Sequence, residues 1–320
     1  MSKLRKVTII GSGNVGSHCG QSLATRGIAD IIIFNDIKKE KAVSEALDLN
    51  DALAHFPHKV TVRAGEIGEC EDSDVVIISA GPLPRPDQDR LDTLSATIDA
   101  LGVTIEEIVN TGFKGIFLCI SNPADVIADY VRKVSGFPRE RVFGTGTSLD
   151  SLRLKRIIAQ KTGFDIKSVQ AYSMGEHGGS QIIPWSHVYV GGKPISKLSE
   201  REIPTGETLD FDQILEETRY AGYSVLSGKG STEFGISSAV TEIIRAILHD
   251  EKCILPVSVL LDGEYGLRGV HAGVPAVIGS SGAEGIIEID MTENEKILFD
   301  KSCAVIEKHI KIADGLCKRS

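Results

Sequence analysis

Five polar side chains stand where glycine-rich or proline-containing turns would leave them free to do chemistry. His177 lies in Met174-Gly-Glu-His-Gly-Gly-Ser180. Glycines on both sides let the backbone turn and leave the ring uncrowded. An imidazole changes charge nearest neutral pH, so one residue can both give and take a proton. Asp150 and Arg153 follow Gly144-Thr-Gly-Thr-Ser, a strand-to-helix turn, and at i and i+3 they share one helix face. Alone, such a pair is usually a surface salt bridge. Beside an imidazole, the carboxylate can fix one tautomer and stabilise the charged ring. The guanidinium can clamp another carboxylate with two parallel hydrogen bonds. Asn122, in Ile120-Ser-Asn-Pro-Ala, can donate to a substrate oxygen, and Pro123 either starts the next helix or forms a cis turn. Arg90 ends a long polar loop from Gly81 that is placed to act as a lid. The remaining histidines (His18, His55, His58, His187, His249, His271 and His309) read as structural or surface residues.

A second constellation binds rather than reacts. Gly11-Ser-Gly13-Asn14-Val15-Gly16 is a G-x-G-x-x-G sequence that follows an apolar run and opens a helix. Gly11 permits the tight turn, Gly13 the close approach of a pyrophosphate, and Gly16 close helix–sheet packing. The helix start then offers free N–H groups and a positive dipole end to phosphate. Asp36, twenty residues after Gly16, ends the second apolar run. A carboxylate there accepts from an adenosine ribose and repels a 2′-phosphate, which favours NAD; Lys38 and Lys39 leave a small opening for NADP.

These groups need strands that end at one edge and helices that begin there. Val7–Ile10, Ile31–Phe34, Val60–Val62, Val75–Ile78 and Ile116–Ile120 read as strands, several of them apolar throughout, as strands buried on both faces are. Helical patterns near 14–26, 39–54, 91–111 and 124–134 alternate with them, predicting a Rossmann-type, doubly wound parallel sheet. A further helix runs from Ser148 to about Lys161. The second half carries β-like runs at Ile182–Val190, Ile254–Leu261, Val270–Ile278 and Gly285–Ile289 and helices near 210–226, 232–249 and 292–314. Gly191-Gly192 signals a hairpin. This half is predicted to be α+β, giving an α/β chain divided into a cofactor domain, 1–144, and a catalytic domain, 145–320, with a cleft between them.

The composition excludes other classes. With 42% hydrophobic and 25% charged residues, the 320-residue chain has an ordinary globular balance. The net charge of −9 repels phosphate backbones and anionic lipid, so neither nucleic acid nor membrane is expected as a partner. No apolar run approaches the ~20 residues that span a bilayer. The six scattered cysteines form no Cys-x-x-Cys pair, so reduced thiols, a cytoplasmic location and no bound metal are expected.

At these residues the chain resembles the L-lactate/malate dehydrogenase family across nearly its whole length. GSGNVG, Asp36, ISNP, GTGTSLDSLR, GEHG and GKGST occur in the family's order, and GEHGGSQIIPWS and GKGSTEFG are most similar to its bacterial L-lactate and L-2-hydroxyisocaproate members. The resemblance implies an NAD-dependent oxidoreductase of a small 2-keto or 2-hydroxy acid, in which His177 paired with Asp150 is the acid/base. It implies that Arg153 binds the substrate carboxylate, that Arg90 closes over the site and polarises the carbonyl, and that Asn122 orients the reacting oxygen and touches the nicotinamide ribose. Thr232 would line the side-chain pocket, and a homotetramer or homodimer is implied. L-lactate is the first expectation for the substrate, with malate and L-2-hydroxyisocaproate as alternatives. An NAD-dependent glycoside hydrolase and a non-catalytic NAD sensor are remote ones.

Three departures mark this chain. The family's substrate discriminator stands six residues before the lid arginine. Here that place is Pro84, and Arg85 sits five before Arg90, in a loop one residue short. Arg85 turned inward would suit a second substrate carboxylate; turned outward, a neutral side chain. Pro82, Pro84 and Pro86 stiffen the hinge. The family members activated by fructose 1,6-bisphosphate carry an Arg and a His where this chain has Lys155 and Gln170. Weak or absent activation by fructose 1,6-bisphosphate is therefore expected; a large fall in the half-saturation for pyruvate on its addition would contradict this.

Overall fold

The computed structural model describes residues 3–81 and 94–317. The predicted lid, with Arg85, Arg90 and its three prolines, lies outside the described residues.

The glycine-rich turn joins β1 (Lys6–Ile10) to α1 (Asn14–Arg26). β2 (Ile31–Asn35) and α2 (Lys39–Ala52) follow, then β3 (Thr61–Ala64) and β4 (Val75–Ile78). After α3 (Leu94–Asn110) come β5 (Ile116–Cys119), α4 (Ala124–Ser135), β6 (Val142–Gly144) and α5 (Ser148–Thr162). β1, β4 and β5 are buried at every position, because helices cover both faces of the sheet. The parallel strands stand in the order β6-β5-β4-β1-β2-β3. The order reverses between β1 and β4, and ligands of open α/β sheets bind at that switch, beyond the strands' carboxyl ends.

The sheet continues past β6 with three antiparallel strands, β10 (Cys253–Asp262), β11 (Arg268–Gly279) and β12 (Gly282–Ile286). Ser258 of β10 pairs with Gly144 of β6, so the parallel and antiparallel parts are one sheet. A separate small sheet holds β7 (Val169–Gln170), β8 (Tyr189–Val190) and β9 (Lys193–Pro194). β8 and β9 form the hairpin expected at Gly191-Gly192. Helices α6 (Phe211–Lys229), α7 (Phe234–Leu248) and α8 (Glu293–Cys317) complete the chain. They gather into two groups: α7 packs on α1 and α5, with α6 on α5, while α8 joins α3 and α4.

Two expectations need correction. Ile182–Val190 is not one strand: Ile182 makes a single bridge to Met174, Trp185–His187 form a 3-10 turn, and only Tyr189–Val190 pair as a strand. Pro184 supplies no N–H, and the run is apolar because Ile183, Val188 and Val190 fill a second, smaller core with Ile157 and Ile214, while Ile182 belongs to the main one. The last strand starts three residues earlier than read, at Gly282, since Gly282 pairs with Gly279 in the turn itself.

The interior also holds charge. His271 on β11 is fully buried, and its Nδ1 lies 3.3 Å from Asp129 on α4, itself 3% exposed. Lys133, one turn on, approaches Asp129 at 2.7 Å and reaches Asp314 of α8 at 2.7 Å. This array ties α4 to β11 and α8. Burial alone would raise the Asp129 carboxyl, but facing His271 and Lys133 holds it below the usual carboxylate range. The group then binds its proton more weakly folded than unfolded. Its stabilisation is complete at neutral pH and fades as pH falls through the ordinary carboxylate range toward the lowered native value. Asp129→Asn is expected to cost roughly 3 kcal/mol at neutral pH, because it takes the carboxylate partner from the buried His271 ring and from the Lys133 ammonium. In urea titrations the gap between variant and wild type should narrow at acid pH; a gap independent of pH would exclude this role.

Candidate active site

The carboxyl ends of β5 and β6 supply the polar groups. Beyond β5, Ile120-Ser121 leads into a cis Asn122–Pro123 bond, and Pro123 also caps α4, so both sequence alternatives for that proline are realised. Beyond β6, the chain turns through Thr145–Thr147 into α5, whose first two turns carry Asp150 and Arg153. A carboxylate in a first turn gains from the helix dipole. The Ser148 hydroxyl donates to the Pro256 carbonyl at 2.5 Å, anchoring this helix start on β10.

His177 sits at the tip of a loop held from several sides. Met174 and Ile182 exchange backbone hydrogen bonds at 2.9 Å, and Gly175 and Gly273 of β11 exchange theirs at 2.9 and 2.8 Å. Gly175 has φ +87°, and a Cβ there would stand 2.3 Å from Ser302 Oγ. Only glycine permits this approach to α8. The Ser173 N–H donates to Ser151 Oγ at 2.9 Å, and the His177 N–H to Asp125 Oδ2 at 2.9 Å. Burial pushes the Asp125 carboxyl up, against the opposing pull of Ser258 and of that N–H.

The side chains converge on one carboxylate. Asp150 is 2% exposed; its Oδ2 lies 2.5 Å from His177 Nδ1 and its Oδ1 accepts from Arg153 Nη1 at 3.1 Å. A carboxylate only accepts, so Nδ1 carries its hydrogen toward Asp150 and Nε2 is left for chemistry. His177 and Arg153 open onto a cavity of about 140 Å³, which Asn122, Thr232, Thr145 and Ser231 also line. Its apolar wall comes from Val15, Ile120, Leu149, Leu226 and Ile236. Thus His177, Asp150, Arg153, Asn122 and Thr232, far apart in sequence, meet in one place, and Val15 of the glycine turn reaches it. Sequence reasoning missed Asp125, Thr145, Ser231 and Gly222; the first three are polar residues within five positions of Asn122, Asp150 and Thr232 respectively, which was a usable signal.

The glycine turn has the shape a dinucleotide phosphate requires. A Cβ on Gly16 would fall 2.0 Å from the Gly11 carbonyl oxygen, so α1 begins tight beneath the turn, whereas nothing lies within 4 Å of a Cβ built on Gly13, whose face is open. Asp36, at the end of β2, is held by the Ser12 N–H at 2.8 Å and the Lys38 N–H at 2.9 Å. The residues present fit NAD.

Comparison with known proteins agrees. Residues 5–144 match the family described as lactate/malate dehydrogenase, NAD binding domain, and residues 147–315 match its alpha/beta C-terminal domain. The chain is 43% identical over 307 residues to L-lactate dehydrogenase 3 of Bacillus thuringiensis, covering 96% of this chain and 97% of that one. It is similar in structure to a minor L-lactate dehydrogenase of Enterococcus mundtii, with TM-score 0.91, 36% identity and coverage of 97% and 98%. It is also similar to the lactate dehydrogenase of Cryptosporidium parvum solved with lactic acid and nicotinamide adenine dinucleotide, with TM-score 0.92, 31% identity and coverage of 98% and 99%. An NAD-binding sheet, a cleft at its carboxyl edge onto which His177 and Arg153 open, and full-length likeness to these enzymes lead to one conclusion: the chain belongs to the lactate/malate dehydrogenase family, oxidoreductases that bind NAD and act on a 2-hydroxy acid.

Proposed function

We propose that this chain is an L-lactate dehydrogenase, reducing pyruvate to L-lactate with NADH and catalysing the reverse. The observation that carries the reading is the shared Asp150 carboxylate, which holds His177 and Arg153 side by side on the cleft. Bound NADH supplies the hydride. Arg153 pairs with the substrate carboxylate and fixes the keto carbon's position. Protonated His177 gives the Nε2 proton to the keto oxygen, and neutral His177 takes it back in the oxidation. Asp150 stabilises the charged ring and keeps Nε2 facing the cleft. Asn122 donates to the reacting oxygen. Arg90 stabilises charge on that oxygen once water is excluded, where charge counts most. Thr232 lines the side-chain pocket. Gly11, Gly13, Asn14, Val15 and Gly16 seat the cofactor, with Asp36 on its adenosine ribose. Residues 1–144 form the cofactor domain and 145–320 the catalytic one.

Among the described residues, Arg153 is the one arginine or lysine lining the cleft, whose wall is otherwise His177, neutral polar groups and apolar side chains. That supports a neutral substrate side chain over the second carboxylate of oxaloacetate, the substrate of a malate enzyme. A bulkier 2-keto acid such as 2-ketoisocaproate is a second reading. Gly222, in the wall, contributes no side chain where a Cβ would stand 3.2 Å from Arg153 Nη1. Exposed Val43 and Leu47 on α2 and Tyr220 and Tyr223 on α6 support a homodimer or homotetramer. The free cysteines support a cytoplasmic location.

Purified protein should oxidise NADH, followed at 340 nm, fastest with pyruvate, then 2-ketoisocaproate, and slowest with oxaloacetate. His177→Asn should lose at least about a hundredfold in kcat while still binding NADH. Oxaloacetate winning would reverse the substrate assignment. No turnover on any keto acid, with NADH bound, would sink the reading.

A further inference from the structure

The cofactor helix α1 meets the catalytic half along a ladder of side chains spaced one turn apart. Asn14 Nδ2 donates to Ser231 Oγ at 3.0 Å, and the His18 ring lies edge-on to Phe234 with centroids 5.5 Å apart. Ser22 accepts from Thr241 at 2.9 Å, and Arg26 reaches Glu242 at 2.8 Å and Ser238 at 3.1 Å. The lower rungs join α1 to α7 by contacts that reach neither the cofactor turn nor the cleft. The first rung does not end at Ser231. Ser231, 2% exposed, donates its own hydroxyl hydrogen to Glu233, 6% exposed. The other Glu233 oxygen pairs with Lys229, whose ammonium sits 4.2 Å from the Phe234 ring centroid.

The position of this rung gives it meaning. Asn14 is the first residue of α1, in the glycine turn, while Ser231 and its neighbour Thr232 line the cleft beside His177 and Arg153. One chain of hydrogen bonds therefore runs from the cofactor's phosphate turn to the wall of the substrate cleft. A serine hydroxyl has one hydrogen to give. Committed to Glu233, it turns a lone pair toward Asn14, so the carboxylate sets the orientation of both partners through a charge-assisted hydrogen bond. A buried carboxylate beside a turn that receives phosphate is also an electrostatic liability, and Lys229 on the last turn of α6 cancels it.

We propose that Glu233 is a positioning residue that, through Ser231 and Asn14, couples the seating of NADH to the readiness of the 2-keto-acid cleft. The proposal rests on the cleft being the one assigned above. Glu233 orients Ser231 on the cleft wall and, through it, Asn14 in the cofactor turn, so its loss weakens both ligands, whereas loss of a mere helix contact weakens neither.

The test measures the dissociation constant of NADH from its fluorescence on binding, without keto acid, and the KM for pyruvate at saturating NADH. Glu233→Ala should weaken both roughly fivefold or more, with the smaller change in kcat. Glu233→Gln, which keeps an acceptor oxygen, should recover most of the loss. Lys229→Met should weaken NADH by leaving the carboxylate uncompensated, and adding Glu233→Gln should restore it. Ser22→Ala, which cuts a lower rung, should leave both constants unchanged. If Glu233→Ala lowers only the urea midpoint, or if Ser22→Ala shifts the constants equally, the coupling is wrong. Wild-type protein that binds NADH but turns over no keto acid would overturn the assigned function instead, and the NADH constants alone would then decide the role of Glu233.

Discussion

A buried carboxylate has to be paired, and the site is organised around one that is paired twice. Asp150 gives one oxygen to His177 and the other to Arg153. Removing it from water is costly, and two cationic or hydrogen-bonding partners at 2.5 and 3.1 Å offset that cost while fixing each other's position. The spacing between imidazole and guanidinium is thereby set by a rigid group of known size. In the proposed reaction, that spacing is the distance between a substrate's reacting oxygen and its carboxylate.

The rest of the fold can be understood as what brings these partners within reach. Asp150 and Arg153 belong to α5, which starts where β6 ends, in the middle of the sheet. His177 arrives from a loop with no regular structure, stitched to β11 by the Gly175–Gly273 bridge and to α4 by Asp125. That is why the antiparallel strands must extend the parallel sheet rather than form a separate body: β10 and β11 carry the surface on which the His177 loop lies. The buried array of His271 and Asp129, with Lys133 at its edge, ties α4 to β11 beside the same junction.

Much of this was legible in the sequence because it is local. The glycine turn, Asp36 and the order of strands and helices up to α5 follow from neighbours within a few tens of residues. Asp150 and Arg153 could be paired from helical periodicity alone. Other features were hidden. The run from Ile182 to Val190 has a strand's composition but folds as a bridge, a 3-10 turn and two paired residues, because apolar content reports burial and not conformation. His271 looked like any other histidine, since nothing near it in sequence names Asp129 as its partner.

What the sequence by itself determined is local: a glycine turn after the first strand, an acid at the second strand's end, and a His, Asp and Arg in turns that glycine makes possible. These depend on backbone propensities and short spacings, which act without regard to the remainder of the chain. What only the tertiary structure decided is who meets whom. Asp125 holding the His177 backbone, Ser231 linking Asn14 to Glu233, and Thr232 sharing a cleft with His177 all join residues separated by tens to hundreds of positions. Such contacts follow from how the helices pack on a common sheet, and packing answers to the whole set of side chains at once.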